Sequence, residues 1–226
     1  MQNTHNQKGA RLWINNQLFL IDSLRHQPVI VVYRLTNKFN NFCYSKEEIF
    51  SKIKLFESIQ LKHLEIAWSP NPGWVNLIQE VKEEFTNISI GAASIINHKG
   101  LDDAIKANVS YAMSPFWDDD LQCAAKEANQ LLIPGVFTPT EIYKAINFGH
   151  KVIKLFPASI LGSHYLHQLT FPLNVIPFCI GAGGLRVKDI DLWIENGFGA
   201  ITLGRKLIES ENMSKELKVW IQKNRD

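Results

Sequence analysis

Cysteine is scarce in this chain: three residues in 226, Cys43, Cys123 and Cys179, lie far apart. An odd, scattered set makes neither a disulfide framework nor a structural zinc site, so these read as core or surface thiols. An excess of one charge is lacking as well. With 24 basic against 22 acidic residues the net charge is +2, too weak a field to draw nucleic acid or a membrane surface as the main partner. Long apolar runs are also missing, because Pro28 to Val32 and Leu131 to Ile133 are interrupted within a few positions, well short of the roughly 20 residues that cross a bilayer. The first residues, Met1 to Arg11, are polar and Asn/Gln-rich, without the basic-then-apolar order of a secretory signal. The expectation is a cytoplasmic protein with no membrane span and no nucleic-acid partner. Finally, no Gly-x-Gly-x-x-Gly follows the first apolar run, where a dinucleotide-binding fold carries its pyrophosphate loop.

What is present is a globular composition, 46% hydrophobic and 20% charged, arranged as a repeat. Short Val/Ile-rich runs alternate with longer amphipathic stretches at a spacing of about 25 residues, the pattern of a parallel sheet with helical crossovers. Eight runs read as strands: Val29 to Arg34, His63 to Trp68, Ile88 to Ser94, Tyr111 to Pro115, Leu131 to Val136, Lys151 to Pro157, Val175 to Gly181 and Ala200 to Arg205. Each is followed by a helical pattern. One helix start is well specified, since Thr138-Pro139-Thr140-Glu141 supplies an N-cap hydroxyl, a proline at the first helical position and a glutamate at the capping-box position. Asn196-Gly197 and Phe148-Gly149 read as helix stops. Eight strand-helix units in this length predict an α/β fold, a (β/α)8 TIM barrel over residues 28–226, with an open doubly wound sheet as the alternative. Over residues 1–27, a polar tail leads into Leu12, Leu18, Phe19, Ile21 and Leu24 at near-helical spacing, read as a helix capping the barrel bottom.

A buried unpaired charge costs several kcal/mol, so charges inside apolar strands need a reason. Alternation along Val152-Ile153-Lys154-Leu155-Phe156 sends Val152, Lys154 and Phe156 to one face. Desolvation lowers the pKa of such a lysine and supplies the neutral amine that attacks a carbonyl to form a Schiff base. Glu65, in Leu64-Glu65-Ile66-Ala67, is a second inward charge suited to proton transfer. The plainer reading is a structural pair in which the two neutralise each other. Lys151, at the start of its strand, reads as solvated.

The turns Gly181-Ala182-Gly183-Gly184 and Leu203-Gly204-Arg205 follow the seventh and eighth strands, where phosphate-binding barrels hold their phosphate. Arg34 ends the first strand as a candidate anion ligand, with a solvated rim arginine as the other reading. Ser94 and Pro115 end the third and fourth strands at the same mouth. Trp68, Trp74 and Trp117 read as packing residues. His164 and His167 have no third ligand nearby in sequence, so no metal site is expected.

Leu64-Glu65-Ile66, Gly91-Ala92-Ala93-Ser94, Ser114-Pro115, Ile133-Pro134-Gly135, Ile153-Lys154-Leu155-Phe156-Pro157 and Gly183-Gly184 resemble, in order, the motifs of the 2-keto-3-deoxy-6-phosphogluconate (KDPG) and 4-hydroxy-2-oxoglutarate aldolase family, including its 6-phosphogalactonate branch. The resemblance runs from about Pro28 to Ile208. It implies a trimeric (β/α)8 barrel and a metal-independent, cofactor-free Schiff-base cleavage of a 2-keto-4-hydroxy acid to pyruvate and an aldehyde. By position Lys154 resembles the Schiff-base lysine and Glu65 the general acid/base. Ser94 stands where the family has a substrate-binding threonine, Phe156 and Pro115 match pyruvate-pocket residues, and Gly183, Gly184, Gly204 and Arg205 match the phosphate site. The chain departs from the pattern at Ser69, where the phosphogluconate branch has an arginine whose role Arg34 fits. Further departures are Ala182, which removes a hydroxyl, Arg205, which replaces a serine, and Ala93, which adds a methyl group. Two other readings stand beside this one: a phosphate-binding barrel epimerase or isomerase, and a non-catalytic paralogue.

Overall fold

The computed structural model describes the backbone of residues 2–35, 45–208 and 211–224; Cys43 lies outside them. Every predicted strand is present. They are β1 (Val29–Tyr33), β2 (His63–Ala67), β3 (Ser89–Ala93), β4 (Ala112–Met113), β5 (Leu132–Ile133), β6 (Gly135–Val136), β7 (Val152–Leu155), β8 (Phe178–Ala182) and β9 (Ala200–Leu203). All pairings are parallel. The order is β5-β4-β3-β2-β1-β9-β8-β7-β6, so the two ends of the sheet, β5 and β6, meet at Pro134 and the sheet closes into a (β/α)8 barrel.

The seventh predicted strand begins later than expected, at Phe178, and runs on through Gly181 and Ala182, both part of the predicted turn. The fifth differs most, because it is cut in two. Pro134 has no N–H to give to a ladder, so β5 pairs with β4 and β6 with β7. Its carbonyl still accepts from the Lys154 N–H at 3.0 Å, which holds the lysine strand against this break.

Alternation sorts the strand side chains into two cores. Outward residues such as Val29, Val31, Leu64, Ile66, Ile153, Leu155, Ile201 and Leu203 pack under the helices. Inward Ile30, Met113, Leu131, Ile133, Val152, Ile180 and Ala200 form a separate cluster with Leu20, Ile21 and Leu24. Those three belong to α1 (Gln2–His26), which therefore plugs the lower end of the barrel.

Two expectations for this helix need correction. It starts at Gln2, because residues 2–11 contain one glycine and no proline to stop a helix nucleated further along. Its buried side also differs: Trp13, Gln17, Leu20, Ile21 and Leu24 are buried, while Leu12, Leu18 and Phe19 are exposed.

The helices that follow the strands are α2 (Lys46–Ser58), α3 (Trp74–Glu84), α4 (His98–Lys106), α5 (Asp119–Glu127), α6 (Pro139–Phe148), α7 (Ala158–Leu161), α8 (Tyr165–Leu173), α9 (Ile190–Glu195) and, after the last strand, α10 (Arg205–Ile208) and α11 (Glu211–Lys223). Helix α6 carries the predicted capping box at Thr138 and Glu141, and Gly149 closes it at φ 103°. Gly197, after α9, has φ 89°. Trp74 is fully buried and donates to the Ala67 carbonyl at 3.1 Å, a packing residue as expected. Among the described residues no helix is long and apolar enough to cross a membrane.

Candidate active site

The charged strand residues follow directly from the alternation. Val152, Lys154 and Phe156 share the inner face of β7 and its end, with Val152 in the apolar floor and Lys154 one step above it. Lys154 is 7% exposed and Glu65 is 2% exposed. Both open into a cavity of about 290 Å³ at the C-terminal ends of the strands. The same cavity is lined by Arg34, Ser94, Pro115, Phe156, Gly183, Gly184, Gly204 and Arg205. All ten residues picked from the sequence therefore converge on one mouth, although they come from seven strands and their following loops.

Burial dominates the electrostatics. It pushes the Lys154 ammonium well below its ordinary range, an effect that the Glu65 charge opposes and the Arg34 cation reinforces. For Glu65 burial raises the pKa, opposed by Lys154 and Arg34. The two residues share a cavity but form no ion pair among the described residues, and Oε1 of Glu65 has no hydrogen-bond partner there. Each charge nonetheless favours the ionised form of the other across the cavity. An amine pushed toward its neutral form beside a carboxylate pushed toward its protonated form can exchange protons with a substrate near neutral pH. The Lys154 Nζ also lies 5.3 Å from the centre of the Phe156 ring.

At the rim, the Arg34 Nη1 donates to the Ser94 Oγ at 3.0 Å, so one cation and one hydroxyl are already held together. Ser94 sits at φ 62°, a left-handed conformation uncommon for a residue with a Cβ. On the other side Gly183 and Gly184 have φ 95° and 82°. A Cβ on Gly183 would press on the Phe156 ring at 3.1 Å, and one on Gly184 would meet the Ser159 Oγ at 2.3 Å. Both positions need glycine, for conformation and for space. Among the described residues no cluster of three His, Cys, Asp or Glu side chains is placed to hold a metal.

Sequence reasoning missed Thr202. This residue lies inward on β9, buried, lining the cavity in register with Ala182 on β8. A threonine in a strand is ordinary, so only the alternation from Ala200 marked its direction. A larger groove, about 800 Å³, lies on the far side of the molecule between the end of α1 and α11. Its charged residues, Arg25, Lys62, Asp191, Glu195 and Lys223, are all exposed, so size alone does not mark the site.

Fold and mouth together define a barrel with an inward lysine and carboxylate under a glycine-lined rim. The sequence profile of the family described as KDPG and KHG aldolase matches residues 21–223, and the chain belongs to that family. The KHG/KDPG aldolase of Escherichia coli (strain K12) is 30% identical over 110 residues, covering 48% of this chain and 52% of that protein. The chain thus spans about half the length of the curated relatives it matches. Among solved structures, the native KDPGal structure superposes with a TM-score of 0.71 at 19% identity, covering 86% of this chain and 90% of that one. A KDPG aldolase from Legionella pneumophila, with pyruvate captured as a covalent carbinolamine, gives 0.67 at 19% identity, covering 89% and 93%. At that identity the likeness is one of fold.

Proposed function

We propose that this chain is a Schiff-base aldolase that cleaves a 2-keto-4-hydroxy acid to pyruvate and an aldehyde, with 2-keto-3-deoxy-6-phosphogluconate or a close relative as substrate. The observation that carries the reading is Lys154: an inward, buried amine whose ammonium form is disfavoured, in the same cavity as Glu65. A family relative holding pyruvate as a covalent carbinolamine supports it.

In the reaction, neutral Lys154 adds to the C2 ketone and the carbinolamine hydroxyl leaves as water with a proton from the Glu65 carboxyl, giving a protonated imine and a Glu65 carboxylate. Glu65 takes the proton from the C4 hydroxyl. The C3–C4 bond then breaks, the aldehyde departs, and the electron pair passes into the imine to give an enamine. Glu65 returns the proton to C3, and water hydrolyses the protonated imine to pyruvate and neutral Lys154, the released proton returning to Glu65. Arg34 and Ser94 hold the substrate carboxylate, with Pro115 and Phe156 enclosing the pyruvate half. Gly183, Gly184, Gly204 and Arg205 receive a distal phosphate. By family resemblance the enzyme works as a cytoplasmic homotrimer, a state that sedimentation can check.

The test is a turnover screen with phosphorylated and unphosphorylated 2-keto-4-hydroxy acids, reading pyruvate release. Release from at least one, lost in Lys154→Met, is expected. No release from any, or release that survives the substitution, contradicts the reading.

A further inference from the structure

The inward positions of such barrels are filled mainly by Val, Ile and Leu, and one phenol stands out among them. Glu65 on β2 is the register partner of Gly91 on β3, and Ala92 of β3 pairs with Ala112 of β4. One step back along that second pairing, Gly91 neighbours Tyr111, so Glu65, Gly91 and Tyr111 form a single row across three strands. The glycine makes the row possible. A Cβ at Gly91 would lie 2.7 and 2.8 Å from Cε2 and Cζ of Tyr111, which puts the hydroxyl-bearing end of the ring over the one residue separating it from Glu65. Tyr111 is 1% exposed. Its hydroxyl and Oε1 of Glu65 are both buried with no hydrogen-bond partner among the described residues. One is a donor and the other an acceptor, and leaving either unmade costs stability.

The two atoms are not bonded to each other in this arrangement; we propose that Tyr111 is a positioning residue for Glu65, its phenol turning to donate a hydrogen bond to Oε1 once the carboxylate ionises and so aiming that carboxylate at the substrate. Burial and the Glu65 charge both raise the Tyr111 pKa well above 10, so the phenol keeps its proton. The other groups acting on Glu65 are Lys154 from β7 and Arg34 beyond β1. His63, inward on β2 two residues away, is held neutral by burial, its pKa lowered to about 4, and shares a 2.8 Å hydrogen bond with the Ser23 Oγ. Lys154 changes charge as it reacts, whereas the phenol stays a neutral donor throughout the cycle. That constancy suits it to fix the carboxylate.

The experiment reads Glu65 without substrate, so its outcome is separate from the proposed aldolase activity on which the kinetic arm rests. The carboxyl infrared band of Glu65, assigned by its loss in Glu65→Gln, is titrated in the full-length wild type and in Tyr111→Phe. Phenylalanine keeps the ring and removes the one hydroxyl that could reach the ionised carboxylate. Loss of a hydrogen bond to the charged form should raise the apparent pKa of Glu65 by about one pH unit. It should also lower kcat/KM about tenfold at neutral pH, with the acid limb of the profile displaced upward and KM unchanged. Installing 3-fluorotyrosine at position 111, which keeps the shape and sharpens the donor, should move the band the other way and serves if the phenylalanine variant folds poorly. An identical Glu65 titration in wild type and in these variants overturns the proposal. Absence of pyruvate turnover in wild type overturns the aldolase reading and leaves the infrared result to decide the role of Tyr111.

Discussion

The lower and upper halves of the barrel are built from the same strands and the same inward faces, yet they have opposite chemistry. Below, Ile30, Met113, Val152 and Ile180 pack with Leu20, Ile21 and Leu24 from α1 into an apolar floor. Above, the next inward positions on those strands and their extensions are Val32 and Arg34, Pro115, Lys154 and Ala182, around an open cavity. One pleat, from Val152 to Lys154, separates core from candidate site. The floor needs volume filled at close-packed density, whereas the mouth needs specific charges whose burial the rest of the fold must tolerate. The difference teaches where stability and chemistry should separate under mutation.

Lys154→Met should break the comparison most sharply, converting the first layer of the mouth into more floor. Turnover should fall by about 10³-fold or more, since the electron sink is lost. Thermal unfolding should show stability unchanged or higher, because a desolvated cation is replaced by an apolar side chain of similar length. In the floor, Leu24→Ala should do the reverse. It removes a fully buried side chain and should cost about 2–5 kcal/mol in denaturant unfolding, with the steady-state constants of the remaining folded enzyme unchanged.

The fold was legible in the sequence because it rests on period-2 alternation and on turn chemistry that single residues carry. Thr138, Pro139, Glu141 and Gly149 mark both ends of α6 unaided. What was not legible is long-range. Pro134 reads as part of a continuous apolar run, and only the pairings of its two flanks show that it splits the fifth strand. The face of α1 that meets the floor is set by what lies opposite, so Leu12, Leu18 and Phe19 look no different from Leu20 and Leu24 until the barrel is built. In the mouth, charged residues in apolar strands announced themselves. Thr202 and Tyr111 did not, because threonine and tyrosine are common in strands and become notable only through their neighbours Ala182 and Gly91.

Within the mouth, Glu65→Gln should slow cleavage by about 10²-fold while pyruvate still forms an imine, separating proton transfer from nucleophilic attack. Unchanged turnover would assign the proton to another group. Arg205 gives the smallest and most discriminating effect. It is exposed at the rim, and under the proposed function its guanidinium would bind phosphate bidentately and offset the hydroxyl absent at Ala182. Arg205→Ser should lower kcat/KM for a phosphorylated substrate by about 10- to 150-fold and leave an unphosphorylated analogue nearly unaffected. Improvement with phosphorylated substrates would instead mean that the guanidinium fills the phosphate position and excludes it.

The central claim is that Lys154 is the nucleophile, and reductive trapping tests it most directly. Wild-type protein incubated with pyruvate and borohydride, then digested and analysed by mass spectrometry, should carry one reduced pyruvate adduct, on the peptide containing Lys154, and Lys154→Met should carry none. An adduct on another lysine, or equal labelling of the wild type and the variant, would contradict the account.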